Sequence, residues 1–377
     1  MSETLAGSYG WTDTISGVYY GPGSVTTALP KLMKSLGGTK ALIVTGKSLY
    51  TKTNVVSKVQ AILEGIGAYG GVFHEIGQHT PVNGIHRGME LFKQQKCDII
   101  VAVGGGSPID AAKTILYNLR EDTGGPMLRQ IAIPTTLSAA EFAIGAGYTN
   151  EAGQKVGVSS PDLAASGIIL DAELTLSTPE RLWLSTGIRA LDHAVENLYR
   201  PGVPHPMKRL CYASIVDLFT YLPESKDDSK DVLVRQKLQL AAWMGYWPMK
   251  QEKYTPLGLS HALGHRLGAT YSIPHGITSC LTLPAVVAMQ ADIQTPEFKE
   301  DLAQAVYQLR RDSTGSVEGD IRLFSKLIHG LIKDLGLAST LTEYHVPEED
   351  FPAIIKPVVP LDDPRFKQVV ELLKGLM

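Results

Sequence analysis

Cysteine is scarce in this chain, with three among 377 residues. Cys97, Cys211 and Cys280 are odd in number and widely spaced, which fits neither a disulfide framework nor a thiolate zinc site. They read as buried thiols in a reducing compartment. No apolar run approaches the roughly 20 residues that span a bilayer, and the first residues carry neither a basic region nor an apolar segment of a secretory signal. Neither sign of charge is in excess, with 35 basic against 38 acidic residues. That balance argues against nucleic acid and membrane partners and for a cytoplasmic enzyme acting on small molecules.

A length of 377 residues exceeds one typical core and predicts two domains. The first half alternates short apolar strands with helical patterns: strands at 40–45, 71–76 and 97–103, helices at 57–65 and 84–95. Continuous apolar strands of this kind belong to a parallel sheet covered on both faces. Beyond residue 179 the pattern turns helical, over 181–197, 207–222, 231–250, 260–269, 284–290, 320–335 and 363–376. The Ser/Thr/Pro-rich stretch at 175–179 marks the boundary, giving domains 1–178 and 179–377.

Three of the ten histidines, His261, His265 and His275, fall within fifteen residues, where uniform density places roughly 0.4. His261 and His265 share one helix face, and Pro274 redirects the chain at His275. Such a cluster points to chemistry more than to three separate core histidines. No GxGxxG fingerprint is present. Instead Gly104-Gly-Gly-Ser-Pro-Ile-Asp-Ala-Ala-Lys113 follows a strand, with Ser107 expected as N-cap and Pro108 as the first helical residue. Glycines let backbone amides approach a pyrophosphate, and a helix N-terminus adds partial positive charge. A second loop, Pro134-Thr-Thr-Leu-Ser-Ala-Ala-Glu141, offers hydroxyls suited to phosphate or ribose; an ordinary polar loop fits the same residues. Trp243-Met-Gly-Tyr-Trp247 and Tyr254 read as pocket lining or as core.

Taken in order, these motifs resemble the iron-containing alcohol dehydrogenase superfamily, which also holds dehydroquinate synthase and glycerol dehydrogenase. The likeness runs through Tyr20-Gly-Pro-Gly-Ser24, the two loops above, residues 261–284 and Tyr344-His-Val-Pro-Glu-Glu-Asp350. His79-Thr-Pro-Val82 and Gly187-Ile-Arg-Ala-Leu-Asp-His-Ala-Val-Glu196 look most like the maleylacetate reductase branch. The resemblance implies a dehydroquinate synthase-like fold: an α/β Rossmann-like parallel-sheet domain, then an all-α domain, with a cleft between them. It further implies a homodimer, and hydride transfer between NADP(H) or NAD(H) and a carbonyl or alcohol carbon, with an oxo-acid, aldehyde or ketone as substrate.

Residue by residue, the resemblance assigns Gly104, Gly105, Gly106, Ser107 and Asp110 to the pyrophosphate turn, Thr135, Thr136 and Leu137 to a second nucleotide loop, and Lys155 to the cofactor phosphates. NAD-preferring members often carry aspartate where this chain has Gly46. Gly46-Lys47-Ser48 removes that charge and offers a cation and a hydroxyl to a 2′-phosphate, which favours NADP(H). Metal-dependent members hold iron or zinc with an aspartate and three histidines. The histidines match His193, His261 and His275, but the aspartate position is Arg189, and Asp192 is expected to point elsewhere on the helix. The maleylacetate reductase branch also lacks the aspartate and works without metal, so Arg189, His193, His261, His265 and His275 are the expected catalytic set. Two alternatives stand beside it: a zinc- or iron-dependent alcohol dehydrogenase built on the three histidines, and a non-redox cyclase or pseudoenzyme that retains the nucleotide fold.

Overall fold

The computed structural model describes residues 7–9, 15–76, 82–150, 155–250 and 255–377, with backbone only at 7–9, 149, 155 and 250. The chain forms two compact units, Met1–Thr178 with Lys230–Gln239, and Pro179–Ser229 with Leu240–Met377. His79, Thr80, Pro81 and Tyr254, which figured in the expectations above, lie outside the described residues.

In the first unit β1 (Gly7–Tyr9), β2 (Gly17–Tyr20), α1 (Val25–Leu36), β3 (Ala41–Gly46), α2 (Lys47–Lys52), α3 (Val55–Gly65) and β4 (Tyr69–Ile76) come first. Then follow α4 (Val82–Gln94), β5 (Ile99–Gly104), α5 (Gly106–Thr123), β6 (Arg129–Pro134), β7 (Gly145–Thr149), β8 (Lys155–Ser159) and β9 (Gly167–Leu170). The sheet order is β1-β2-β9-β6-β5-β3-β4; β1 is antiparallel to β2 and every other neighbouring pair is parallel. This is the doubly covered α/β sheet the apolar strands predicted. Ile43, Val101, Val103, Ile131 and Ile133 lie in one core with Leu29 and Leu32 of α1 and Val56 and Val59 of α3. Helix α1 was missing from the expectation because Pro30 interrupts its pattern. The Tyr20–Ser24 motif is held by Asp171, whose carboxylate accepts from Gly23 N and Val25 N, each at 3.0 Å.

The second unit holds α6 (Glu180–Tyr199), α7 (His205–Asp227), α9 (Leu259–Tyr271), α10 (His275–Ile293), α11 (Pro296–Gln308), α12 (Val317–Asp334), α13 (Phe351–Ile355) and α14 (Arg365–Lys374). Helix α8 (Val232–Tyr246) contributes its residues after Gln239. Helix α10 begins at His275 and passes through Pro284, nine residues before the start that the proline suggested. Serine 325 donates to the carbonyl of Pro284 at 2.7 Å. By length and composition α10 is apolar enough to cross a membrane, contrary to the expectation that no such run exists, yet 78% of it is buried inside the protein. It packs against α6, α9 and α12, which makes it the central helix of this unit.

Candidate active site

The nucleotide motifs of the first unit converge at one sheet edge. Strands β3, β5 and β6 are neighbours, so the turns after them lie side by side at their carboxyl ends, the usual ligand edge of a parallel sheet. Thr135 N donates to Gly104 O at 2.9 Å. Gly104 has φ 141°, a conformation that side chains rarely adopt. A Cβ on Gly105 would stand 3.1 Å from Cγ2 of Thr136, so the bare backbone of one loop fits the side chain of the other. The helix starts earlier than expected: Gly105 is the N-cap of α5 and makes no side-chain cap, so Ser107 and Pro108 lie inside its first turn. Gly46 caps α2 from an extended conformation, with Lys47 and Ser48 exposed. A Cβ there would meet only Pro108 Cγ at 3.9 Å, an ordinary contact. Lys155 opens β8.

Sequence reasoning passed over two buried charges behind these loops. Lys113 of α5 is buried, and its Nζ donates to the carbonyls of Ala140, Ala143 and Gly145 at 2.6, 2.7 and 3.2 Å. It ties α5 to the loop after β6. Burial pushes the Glu141 carboxyl up to about 7 against the opposing pull of a hydrogen bond from its own backbone and then of the Lys113 charge, and its Oε2 has no hydrogen-bond partner among the described residues. The thiols of Cys97, Cys211 and Cys280 are buried and free; burial raises Cys97 to about 11 and Cys211 to about 12, which makes them inert at neutral pH.

The second unit assembles the histidines. His193 lies 4.6 Å from His261 between ring centroids, His261 6.4 Å from His265, and His265 5.4 Å from His275. His265 is exposed while His193 and His261 are buried. Tyr246, from the aromatic segment, meets His193 edge-on at 4.9 Å, whereas Trp243 and Trp247 pair with each other at 6.0 Å. Arg189 is only 7% exposed, so it is not a partner on a helix surface. Its Nη1 donates to Ser279 Oγ at 3.2 Å and lies 3.8 Å from Asp192 Oδ2, and its Nη2 stands 3.5 Å from His265 Nε2.

Asp192 does not point elsewhere. Three residues along a helix turn the chain by about 300°, so Asp192 stands only about 60° from Arg189. Its Oδ2 accepts from Ser260 Oγ at 3.0 Å and Ser279 Oγ at 2.6 Å. Glu196 Oε1 accepts from Ser260 N at 2.8 Å and from the Tyr199 hydroxyl at 3.1 Å. Between these carboxylates sits His261, its Nδ1 3.2 Å from Asp192 Oδ2 and 3.1 Å from Glu196 Oε2. Both carboxylates are at ion-pair distance from Nδ1, but neither lies in line with a ring N–H, so no hydrogen bond forms in this geometry. Burial and the Arg189 charge push the His261 imidazole toward neutrality, but the two carboxylates outweigh them and raise its pKa above the ordinary value. For His193 burial dominates, with the His261 and Arg189 charges adding to it, and its pKa falls well below the usual value.

One pattern unites these residues. Arg189, Asp192, His193 and Glu196 stand at i, i+3, i+4 and i+7 on α6; His261, Gly264, His265 and Gly268 repeat the spacing on α9; His275, Thr278, Ser279 and Thr282 repeat it on α10. Each set is one helical stripe. The α9 glycines let the stripes meet, since a Cβ on Gly264 would lie 2.8 Å from Thr278 Oγ1, and one on Gly268 3.3 Å from the His275 ring.

Two family descriptions match this chain: "Iron-containing alcohol dehydrogenase" over residues 16–172 and "Fe-containing alcohol dehydrogenase family, C-terminal" over 183–373. The chain belongs to the iron-containing alcohol dehydrogenase family. It is accordingly an oxidoreductase of the CH–OH/C=O class that uses a nicotinamide cofactor. Lactaldehyde reductase of Escherichia coli (strain K12) is 30% identical over 362 residues, covering 92% of this chain and 91% of that protein. In fold, the chain is similar to a 1,3-propanediol oxidoreductase (TM-score 0.86, 24% identity, full coverage of both chains). A maleylacetate reductase from Rhizobium sp. strain MTP-10005 is also similar (TM-score 0.78, 25% identity, 98% of this chain and 97% of that one).

The family name implies an iron ion, and Asp192, Glu196 and His261, all buried, offer ligand atoms within 4.8 Å of one another. The buried guanidinium of Arg189, hydrogen-bonded to Ser279 and 3.8 Å from Asp192, brings positive charge into the same cluster, which opposes a divalent ion there. The carboxylates that are present, Asp192 and Glu196, face His261. The Gly104–Gly106 backbone, in contrast, is bare of side chains and would admit a dinucleotide pyrophosphate.

Proposed function

We propose that this protein is an NAD(P)H-dependent carbonyl reductase whose site resembles that of the maleylacetate reductases, in which Arg189 takes over the charge-stabilising task of the metal ion. The observation that carries the reading is the buried guanidinium at the centre of the histidine cluster, 3.5 Å from His265 and 3.2 Å from Ser279. The Gly104–Ser107 turn with Asp110, the Thr135–Leu137 loop, Lys155 and Gly46–Ser48 hold the nucleotide, and the absence of a carboxylate at Gly46 favours NADP(H). When bound, the cofactor supplies hydride to the carbonyl carbon. Arg189 presents planar paired donors to the oxygen on which negative charge develops, worth about 3–4 kcal/mol when such a donor is preorganised in a buried site. His193 walls the pocket in its neutral form, and His261 or His275 delivers the proton that completes the alcohol, with the exposed His265 linking the cluster to water.

The test is NADPH and NADH oxidation with a panel of aldehydes, ketones and oxo-acids, with and without chelator, for the wild type, Arg189→Ala and Arg189→Asp. The wild type is expected to be indifferent to chelator. Arg189→Ala should lose about 100- to 1000-fold in kcat/KM, and only Arg189→Asp should respond to added divalent metal. Activity of the wild type that disappears on chelation and returns with zinc or iron would refute the arginine reading.

A further inference from the structure

The structure assigns Asp192 and Glu196 as positioning residues of the reduction: by flanking Nδ1 of His261 with negative charge at 3.2 and 3.1 Å they favour a proton there and orient the imidazole so that Nε2 serves the substrate oxygen. This rests on the carbonyl-reductase reading above and selects, among its histidines, the one that hands over the proton. Four observations lead to it. The two carboxylates stand 3.2 and 3.1 Å from Nδ1, from two residues one turn apart on the same helix. Both are themselves held, Asp192 by Ser260 and Ser279 and Glu196 by the Ser260 amide and Tyr199, so neither can swing off the imidazole. The other ring nitrogen, Nε2, is buried and has no hydrogen-bond partner among the described residues. Third-party charge is closed as well: Arg189, 3.8 Å from Asp192, balances one carboxylate, leaving the other for the His261 ring.

A histidine whose Nδ1–H is fixed by a carboxylate has one tautomer and one orientation, which is how such dyads set up an imidazole for proton transfer. The step balances. As the carbonyl carbon gains hydride, the C=O π pair moves to oxygen beside Arg189, that oxygen takes the proton from Nε2 of His261, and the ring is left neutral with its remaining proton on Nδ1, flanked by Asp192 and Glu196.

Two readouts test the assignment. Ring-nitrogen NMR of the histidines reports which nitrogen of His261 carries a proton, whether or not a substrate has been found; His261→Gln identifies the signal. Nδ1 is expected to be protonated in the wild type, and its signal to shift or broaden in Asp192→Asn and Glu196→Gln. With a reducible carbonyl in hand, those two variants should lose about 100-fold in kcat with KM for the nicotinamide unchanged. Asp192→Glu, which keeps a carboxylate, should recover most of the loss. A His261 ring with bare Nδ1 in the wild type, or kcat within twofold of wild type in both folded variants, would overturn the assignment. Failure of every carbonyl to oxidise NADPH or NADH would instead strike the reading of the reaction, and the NMR result would still decide the placement of His261.

Discussion

Glu141 shows what a single buried group does to the chain. Its carboxyl keeps a proton up to about 7 when folded, while in the unfolded chain it lets go near 4.5. The folded state therefore binds more protons between those values, so this contribution to stability is complete below about 4.5 and is lost as pH rises toward 7. A rise of that size corresponds to roughly 3 kcal/mol. Glu141→Gln, which keeps the shape and drops the charge, should leave stability near pH 4.5 little altered and gain on the wild type by up to that amount at pH 8. Denaturant midpoints at the two pH values read the difference, and a gap that does not change with pH would count against a neutral, buried Glu141. Lys113 is unlike Glu141 in being saturated: burial lowers its pKa, but three carbonyls surround its ammonium.

At the scale of helices, the close meeting of α6, α9 and α10 decides the geometry of the site. Gly276, the second residue of α10, is the tightest point, where an added Cβ would stand 2.6 Å from the carbonyl carbon and oxygen of Ser185 on α6. Backbone cannot yield as a side chain can, so Gly276→Ala should push α10 off α6, cost about 1–3 kcal/mol and lower the melting temperature. A variant with unchanged melting temperature would show that the two helices are looser than this. The same scale explains what was legible in the sequence. Strands β3 and β5 are continuous Val/Ile/Leu/Ala runs and announced themselves, as did α9, because its two histidines sit one turn apart. Asp192, Glu196 and Ser279 stayed hidden for a different reason. Acid, serine and arginine on a helix ordinarily mark a solvent face, and only the recurrence of one i, i+3, i+4, i+7 stripe on three helices shows that these polar faces turn inward on one another. Likewise Pro30 and Pro284 sit inside helices that continue through them, which no local rule allows for.

For the molecule as a whole, cofactor choice is the property most open to measurement. A ligand that binds only the folded chain adds about 2.7 kcal/mol at a hundredfold excess over its Kd, so melting temperature reports affinity without a substrate. NADPH is expected to raise it more than NADH at equal concentration. Gly46→Asp, for which there is steric room, should reverse the order by repelling the 2′-phosphate and receiving the ribose hydroxyls; an unchanged order would remove Gly46 from the choice. The parallel sheet and the helical second unit were both readable from the rhythm of apolar runs. The grouping of Lys230–Gln239 with the first unit was not, because a helix that continues smoothly from Val232 to Tyr246 carries no mark of changing company. Helix α10 has a consequence for biosynthesis. Its polar stripe faces inward toward α6 and α9, which precede it in the chain, while one apolar flank waits for α12, which follows. During translation the elements that carry the histidine cluster are thus made first, and one apolar flank of α10 stays uncovered until α12 has emerged from the ribosome.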